Sequence, residues 1–392
     1  MYNFKQLFLF LKKFFADKEK VYITVFLALL GLLSFFSLGK LILSYKDGSA
    51  INNEATGDDH LESDLVASVV GKEFFLDLNG GFHFLFGQKE MNGIVRLNNG
   101  YLAEPLEEAD PDLLSDNAQS IANLQQALTE LDIPFLYVLT PYKIQSGNSQ
   151  LPAFVEDHSN ESLDILVSEL QQRNVNVLDL RTAFSSDGVD HYSLFFRTDH
   201  HWNIDGGFYA CSVISQRLEE MLGVTVNPDV LDKQNYHRVT YPAWHLGSYG
   251  QRTGPLFAGG ADDFDLLLPN FETSVTNESS GVQGTFEDVM INDDALQKRT
   301  LDSRYTYDFT LDLTHYHSNN ASAGKKILFV CDSMGRAVLP YLTLAYGDTD
   351  YFDAYTPSSL NLSALQEYDP DVVIVMHFAK VAISRGLFEF GI

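Results

Sequence analysis

Hydrophobic and polar positions divide the chain into regimes. Residues 21–39, VYITVFLALLGLLSFFSLG, carry no charge, and residues 41–43 extend the run past Lys40, the pattern of one long apolar helix. Residues 47–64, DGSAINNEATGDDHLESD, are small, polar and acidic, as a flexible stalk would be. Two kinds of apolar stretch then alternate. Helical spacing runs over about residues 114–131, with Ile121, Leu124, Leu128 and Leu131 on one face, and over 161–173, with Leu163, Leu166, Val167 and Leu170. The short runs 135–140 (FLYVLT, closed by Pro141) and 176–180 (NVLDL) read as buried strands.

A third helix is expected after residues 198–202, capped by Asn203 or Asp205, with Phe208, Val213, Ile214, Leu218 and Met221 on its apolar side. Residues 224–310 break the rhythm: they are rich in Gly, Pro, Asn, Tyr and Asp and read as an inserted β and loop segment, one wall of a cleft. Alternation returns with a strand over 326–331 (KILFVC), a helix over 336–345 and a last strand over 371–377 (DVVIVMH). The fold class this predicts is α/β, a parallel sheet covered on both faces, with a β/loop insertion. The expected organisation is a tail at 1–20, a transmembrane helix at 21–43, a stalk or linker at 44–84 and a folded domain at 85–392.

At 1.5 Å rise per residue, the apolar run crosses a hydrocarbon layer of about 30 Å. Lys5, Lys12, Lys13, Lys18 and Lys20 precede it against Asp17 and Glu19, so the positive-inside tendency keeps the N-terminus cytoplasmic and the domain outside the cell. A buried core helix and a cleaved signal peptide are the alternatives. The run is long for both, and no A-x-A site follows it. Net charge is −27, from 53 acidic and 26 basic residues, which excludes nucleic acid as the natural partner. Cys211 and Cys331 are the two cysteines, too few for a disulfide scaffold or a thiolate zinc cluster. Both sit on apolar patterns and are expected as buried small hydrophobes, with a mutual disulfide as the alternative.

Two stretches carry chemistry: Thr198-Asp199-His200-His201-Trp202 and Asp332-Ser333-Met334-Gly335. A serine hydroxyl becomes a nucleophile when an imidazole takes its proton and a carboxylate orients that imidazole. Ser333 falls between a buried strand and a helix, at the carboxyl edge where open α/β sheets place their sites. The backbone N–H groups of Ser333 and Gly335 are candidates for an oxyanion hole. Asp199 and His201, one residue apart, face the same way if the segment is extended, leaving His200 a structural hydrogen bond. The competing explanation is a pair of polar loops with ordinary helix caps. A metal reading could draw on His315 and His317 beside Asp199-His200-His201, but further ligands at suitable spacing are missing, so neither metal nor other cofactor is expected. The likeness of DHHW to the DHHC palmitoyl transferases is superficial, since Trp202 stands where the nucleophilic cysteine would be.

With these residues placed, the chain resembles the bacterial DHHW proteins, relatives of the alginate O-acetyltransferase accessory proteins of the SGNH-hydrolase-like class. Thr198-Asp199-His200-His201-Trp202-Asn203 and Cys331-Asp332-Ser333-Met334-Gly335 carry the resemblance. Thr140-Pro141-Tyr142-Lys143, Leu151-Pro152 and residues 247–254 (GSYGQRTG) match more weakly. The resemblance implies a permuted three-layer SGNH fold, with Asp and His before Ser in the chain. It also implies double-displacement acyl transfer: Ser333 would accept an acyl group, usually acetyl, from a multi-span membrane O-acyltransferase and pass it to a cell-surface polysaccharide.

The resulting reading is a membrane-anchored, extracytoplasmic O-acyltransferase or esterase. Ser333 is nucleophile, His201 general acid and base, and Asp199 its orienter. Lys143, Trp244, Tyr249 and Arg252 are candidate substrate contacts, with Tyr241, Trp244, Tyr249 and Arg252 lining a glycan groove in the insertion. The rivals are an esterase that delivers the acyl group to water and a non-catalytic glycan-binding scaffold.

Overall fold

The computed structural model describes residues 18–46, 71–186, 188–291, 296, 314–354, 361, 365, 368–384, 386 and 390. The described residues fall into two compact units, divided between Asn79 and Gly80. Helix α1 (Lys18–Lys46) contains the apolar span Val21–Lys40, 20 residues long with no part buried in protein, long enough to cross a bilayer. The stalk expected over 47–64 lies outside the described residues. Within the expected 44–84 linker, however, α2 (Lys72–Leu85) is a helix. Its KEFFLDL start is dense in residues that helices accept well, which overrides the Asn-Gly-Gly that follows.

The larger unit follows the alternating pattern. In chain order it contains α3 (Pro111–Glu130), β1 (Phe135–Leu139), α4 (Ser159–Gln172), β2 (Val177–Asp179) and α5 (Ile204–Leu222). The insertion supplies β3 (Tyr236–His245), α6 (Ser248–Thr253), β4 (Asp262–Pro269), β5 (Val275–Asn277) and β6 (Val282–Gly284). Then come β7 (Thr314–Ser318), β8 (Lys325–Cys331), α7 (Leu339–Tyr346), β9 (Gly347–Asp353), β10 (Val372–His377) and α8 (Ala379–Ser384). The caps act as read: Asn203 accepts from the N–H groups of Asp205 and Gly206 to start α5, and Gly223 ends it in the left-handed region at φ 63°.

The central sheet has eight strands in the order β2-β1-β10-β8-β9-β7-β5-β6. Its first five strands pair parallel. The last three pair antiparallel, so the sheet expected as parallel is mixed. The reason is connectivity: β7 adds antiparallel to the β9 edge, and the insertion strands β5 and β6 extend the sheet from β7 without a crossover helix. β10 is buried along its whole length, as is β8 from Ile327 onward, which explains their unbroken apolar sequences. Helices α3, α4 and α8 pack on one another, whereas α5 packs on α7 and on the turn that follows β8. The remaining insertion strands, β3 and β4, form a separate antiparallel ribbon whose register shifts between Tyr241 and His245.

Candidate active site

Residues 195–202 close into a loop: Phe195 and Trp202 form an antiparallel bridge, and the Phe196 N–H donates to the His201 carbonyl at 3.2 Å. Asp199 inside it is 1% exposed. Its Oδ1 accepts from both the His201 backbone N–H (2.9 Å) and the His201 ring at Nδ1 (2.7 Å). The one-residue spacing therefore works through a turn, not through the extended segment expected from sequence. One carboxylate oxygen fixes both the backbone and the ring of the histidine two residues on.

The second element is the turn after β8. Asp332 is buried: its Oδ1 accepts from the Met334 N–H (3.0 Å) and its Oδ2 from the Phe378 N–H (2.6 Å), tying the turn to the end of β10. Ser333–Ala337 is a short 3₁₀ helix that leaves Ser333 half-exposed. Ser333 Oγ lies 2.6 Å from His201 Nε2. Beside this contact the Trp202 indole N–H donates to the Met334 carbonyl at 3.0 Å, so adjacent residues of one loop grip adjacent residues of the other.

The insertion supplies the backing. The Ser248 N–H donates to Asp199 Oδ2 (2.5 Å), and the Gly247 N–H donates to Thr198 Oγ1 (2.9 Å). Glycine is required at 247 because an added Cβ would sit 2.2 Å from Asp199 Cβ and 2.5 Å from its Oδ2. Thr198 donates through its N–H and its hydroxyl to Asp262, both at 2.7 Å. Burial by itself would raise the Asp199 pKa, but His200, His201 and the hydrogen bonds outweigh it and hold the group well below the usual carboxylate range. Burial, followed by the proximity of His201, pulls His200 down to about 3, so that ring stays neutral. Its Nδ1 meets Ser248 Oγ at 2.8 Å.

The structure brings Asp199, His201 and Ser333 together and distributes the other expected residues elsewhere. The Gly335 N–H is used on the Asp332 carbonyl at 3.0 Å, so it does not serve an oxyanion. Gly335 is there for packing, since a Cβ would lie 2.0 Å from Cys331 Sγ. Among the described residues the Ser333 N–H makes no backbone hydrogen bond outside its own short helix. Burial runs against two of the four substrate-contact expectations. Lys143 and Tyr249 are buried, at 1% and 2% exposed. Arg252 pairs with Glu104 (2.9 Å) and donates to the Asn92 carbonyl (2.8 Å). Trp244 is half-buried and gives its indole N–H to the Leu296 carbonyl.

His315 and His317, weighed as metal ligands, pair instead with Asp350 and Asp348 across β7 and β9. Ligand atoms of Asp199, His200 and His201 lie within 4.8 Å of one another, but Asp199 and Ser333 engage both nitrogens of His201. Cys211 and Cys331 are both free and buried. Sequence reasoning missed the roles of Gly247 and Ser248, whose signal was the GSYG stretch, and of Asp262, which carried none.

The α/β architecture, a mixed eight-stranded sheet covered by helices, is SGNH-hydrolase-like. Residues 101–291 match the family model described as "SGNH hydrolase-like domain, acetyltransferase AlgX". The fold is similar to that of Bacillus cereus PatB1, solved with a sulfonyl adduct, at a TM-score of 0.61 and 20% identity over 77% of this chain and 98% of that one. It is also similar to a DHHW family protein from Eubacterium siraeum, at a TM-score of 0.52 and 15% identity over 76% and 94% of the two chains. No curated protein sequence matches the chain.

Proposed function

We propose that the protein is a membrane-anchored, extracytoplasmic O-acyltransferase that acetylates a cell-envelope polysaccharide through an acyl-enzyme on Ser333. The observation that carries this reading is the continuous Asp199–His201–Ser333 array, with contacts of 2.7 and 2.6 Å about one imidazole. An ionised Asp199 accepts from Nδ1–H, so Nε2 keeps its lone pair for the serine proton. As Ser333 Oγ attacks the donor's acyl carbonyl, its proton passes to His201 Nε2, and the developing oxyanion meets the Ser333 N–H. Collapse expels the donor's leaving group, which takes the proton from His201. A glycan hydroxyl then gives its proton to Nε2 and attacks the acyl-serine, releasing the O-acylated glycan and restoring Ser333. The match to the AlgX family model supports the acyl-transfer chemistry and the glycan acceptor, and the apolar Val21–Lys40 helix supports an anchor whose donor partner is a multi-span membrane acyltransferase.

The test uses the full chain in detergent, incubated with an activated acetyl ester and read by intact mass. One acetyl adduct mapping to Ser333, lost in Ser333→Ala, is expected. A folded protein that acquires no adduct defeats the reading. A sulfonyl fluoride gives a second, slower-reversing label for the same oxygen.

A further inference from the structure

Lys143 closes the Thr140-Pro141-Tyr142-Lys143 stretch just after β1. Its side chain is buried, and among the described residues no carboxylate pairs with it. Its ammonium instead donates to three backbone carbonyls: Phe196 (2.7 Å), Arg197 (3.0 Å) and Asp199 (2.7 Å). The rings of Tyr101 and Tyr249 flank it at 5.4 and 5.5 Å. Three N–H donors thus meet three acceptors, which is what makes burial of an ammonium tolerable.

All three acceptors belong to the 195–202 loop, and the last is the carbonyl of Asp199 itself. Three converging carbonyl oxygens make a good seat for an ammonium, because each accepts one of its N–H groups as a charge-assisted hydrogen bond. We infer that Lys143 is a positioning residue of the acyl-transfer site: its ammonium gathers the loop that carries Asp199 and so sets the His201 imidazole against Ser333, without touching substrate. The inference deepens the proposed acyl-transfer reading and rests on it for its effect on rate.

The charged and titratable groups facing Lys143 come from every element around it. They are Asp199, His200 and Arg197 on the loop, Asp262 on β4, Tyr249 on α6, Tyr101 from the segment preceding α3, and His191, which contacts Lys143's own carbonyl at 3.1 Å. Burial pulls Lys143 down to about 7, although Asp262 and Asp199 act to raise it. The ammonium can satisfy all three carbonyls and the free amine at most two, so the grip on the loop loosens when the proton leaves.

The test compares full-length wild type, Lys143→Met and Lys143→Arg in detergent. Its two readouts are the split of Ser333 acetylation kinetics between rate constant and ester KM, and the urea midpoint of each protein. Lys143→Met should slow acetylation about 100-fold with little change in ester KM, as a displaced base does. Lys143→Arg keeps the charge, so its rate should fall between those of the other two proteins. A folded Lys143→Met protein that keeps the wild-type rate constant, or whose loss appears in KM alone, overturns the inference. If Lys143→Met does not fold, Lys143→Arg decides, because a planar guanidinium cannot serve three carbonyls from one point and a wild-type rate would overturn the idea. Wild-type protein that never acetylates sinks the acyl-transfer reading itself, whereas an acetylating wild type matched by Lys143→Met sinks the Lys143 inference alone.

Discussion

Among the described residues His–Asp pairs occur in two places, and they differ in everything except the pair itself. On β7 and β9, His315 faces Asp350 and His317 faces Asp348 as direct cross-strand neighbours, with His317 Nδ1 2.5 Å from Asp348 Oδ1. Those imidazoles stay 30% and 36% exposed, and the far nitrogen of His315 looks toward a second carboxylate, Asp348, at 3.6 Å. In the 195–202 loop, Asp199 is sealed from water and accepts from three N–H groups, while the far nitrogen of His201 meets a hydroxyl. An antiparallel ladder supplies a His–Asp pair at no structural cost. A reactive one needs the hydroxyl, the exclusion of water and a backing that holds the carboxylate still.

The largest expected effect separates the two places by chemistry. His201→Ala and Ser333→Ala should each reduce acetyl transfer from an activated ester by on the order of 10⁴-fold or more, as loss of a member of such an array does. His315→Ala and His317→Ala should leave the rate within about twofold, since surface changes away from a site are near neutral. Stopped-flow rates on folded proteins check this. A large loss at His315 would mean that the ladder pair is part of the chemistry.

The backing is the next way to break the comparison. Gly247→Ala puts a methyl 2.2 Å from Asp199 Cβ, so either the α6 start or the carboxylate must shift. The expected costs are about 1–3 kcal/mol in stability, typical of overpacking, and about 100-fold in acetylation, since the orienting oxygen moves. Urea denaturation and single-turnover rates measure the two separately. A stable variant with full activity would show that the Ser248 N–H contact to Asp199 is dispensable. No comparable glycine backs either pair on β7 and β9 among the described residues.

What could be read in the sequence follows the same division. The parallel strands β1, β8 and β10 were legible because strands buried on both faces are continuously apolar. The reactive array was legible as residue types, since Asp199, His201 and Ser333 lie in two short motifs beside a strand end and a helix cap. β9, Gly-Asp-Thr-Asp-Tyr-Phe-Asp, gave no strand signal: three aspartates and a glycine lack β preference, and pairing on both sides holds them. Lys143 and Tyr249 misled for a related reason. A polar or aromatic residue in a loop reads as a ligand contact, and only the folded structure reveals that its partners are carbonyls and neighbouring rings. Partners distant in sequence, such as Thr198 with Asp262, leave no local pattern.

The smallest expected effect concerns pH, where the two environments act in opposite directions. Burial depresses His200 and His377 to about 3 and His191 to about 4. Below about pH 6.5 the unfolded chain takes up protons that the folded state refuses at these sites, so stability should fall as pH drops from about 6.5 toward 4. His315 is shifted the other way, chiefly by its hydrogen bond to Asp350. Its contribution is complete below about 6.5 and is lost as pH rises through the higher folded-state value. Asp199, held low, loses its contribution only below the ordinary carboxylate range, outside this window. The urea midpoint should therefore be lower at pH 5 than at pH 7.5. His315→Asn should widen that gap, by less than about 1 kcal/mol for a partly exposed pair. A gap that narrows in His315→Asn would mean that the ladder histidine is neutral in the folded protein, and that the two kinds of His–Asp pair differ less than their surroundings imply.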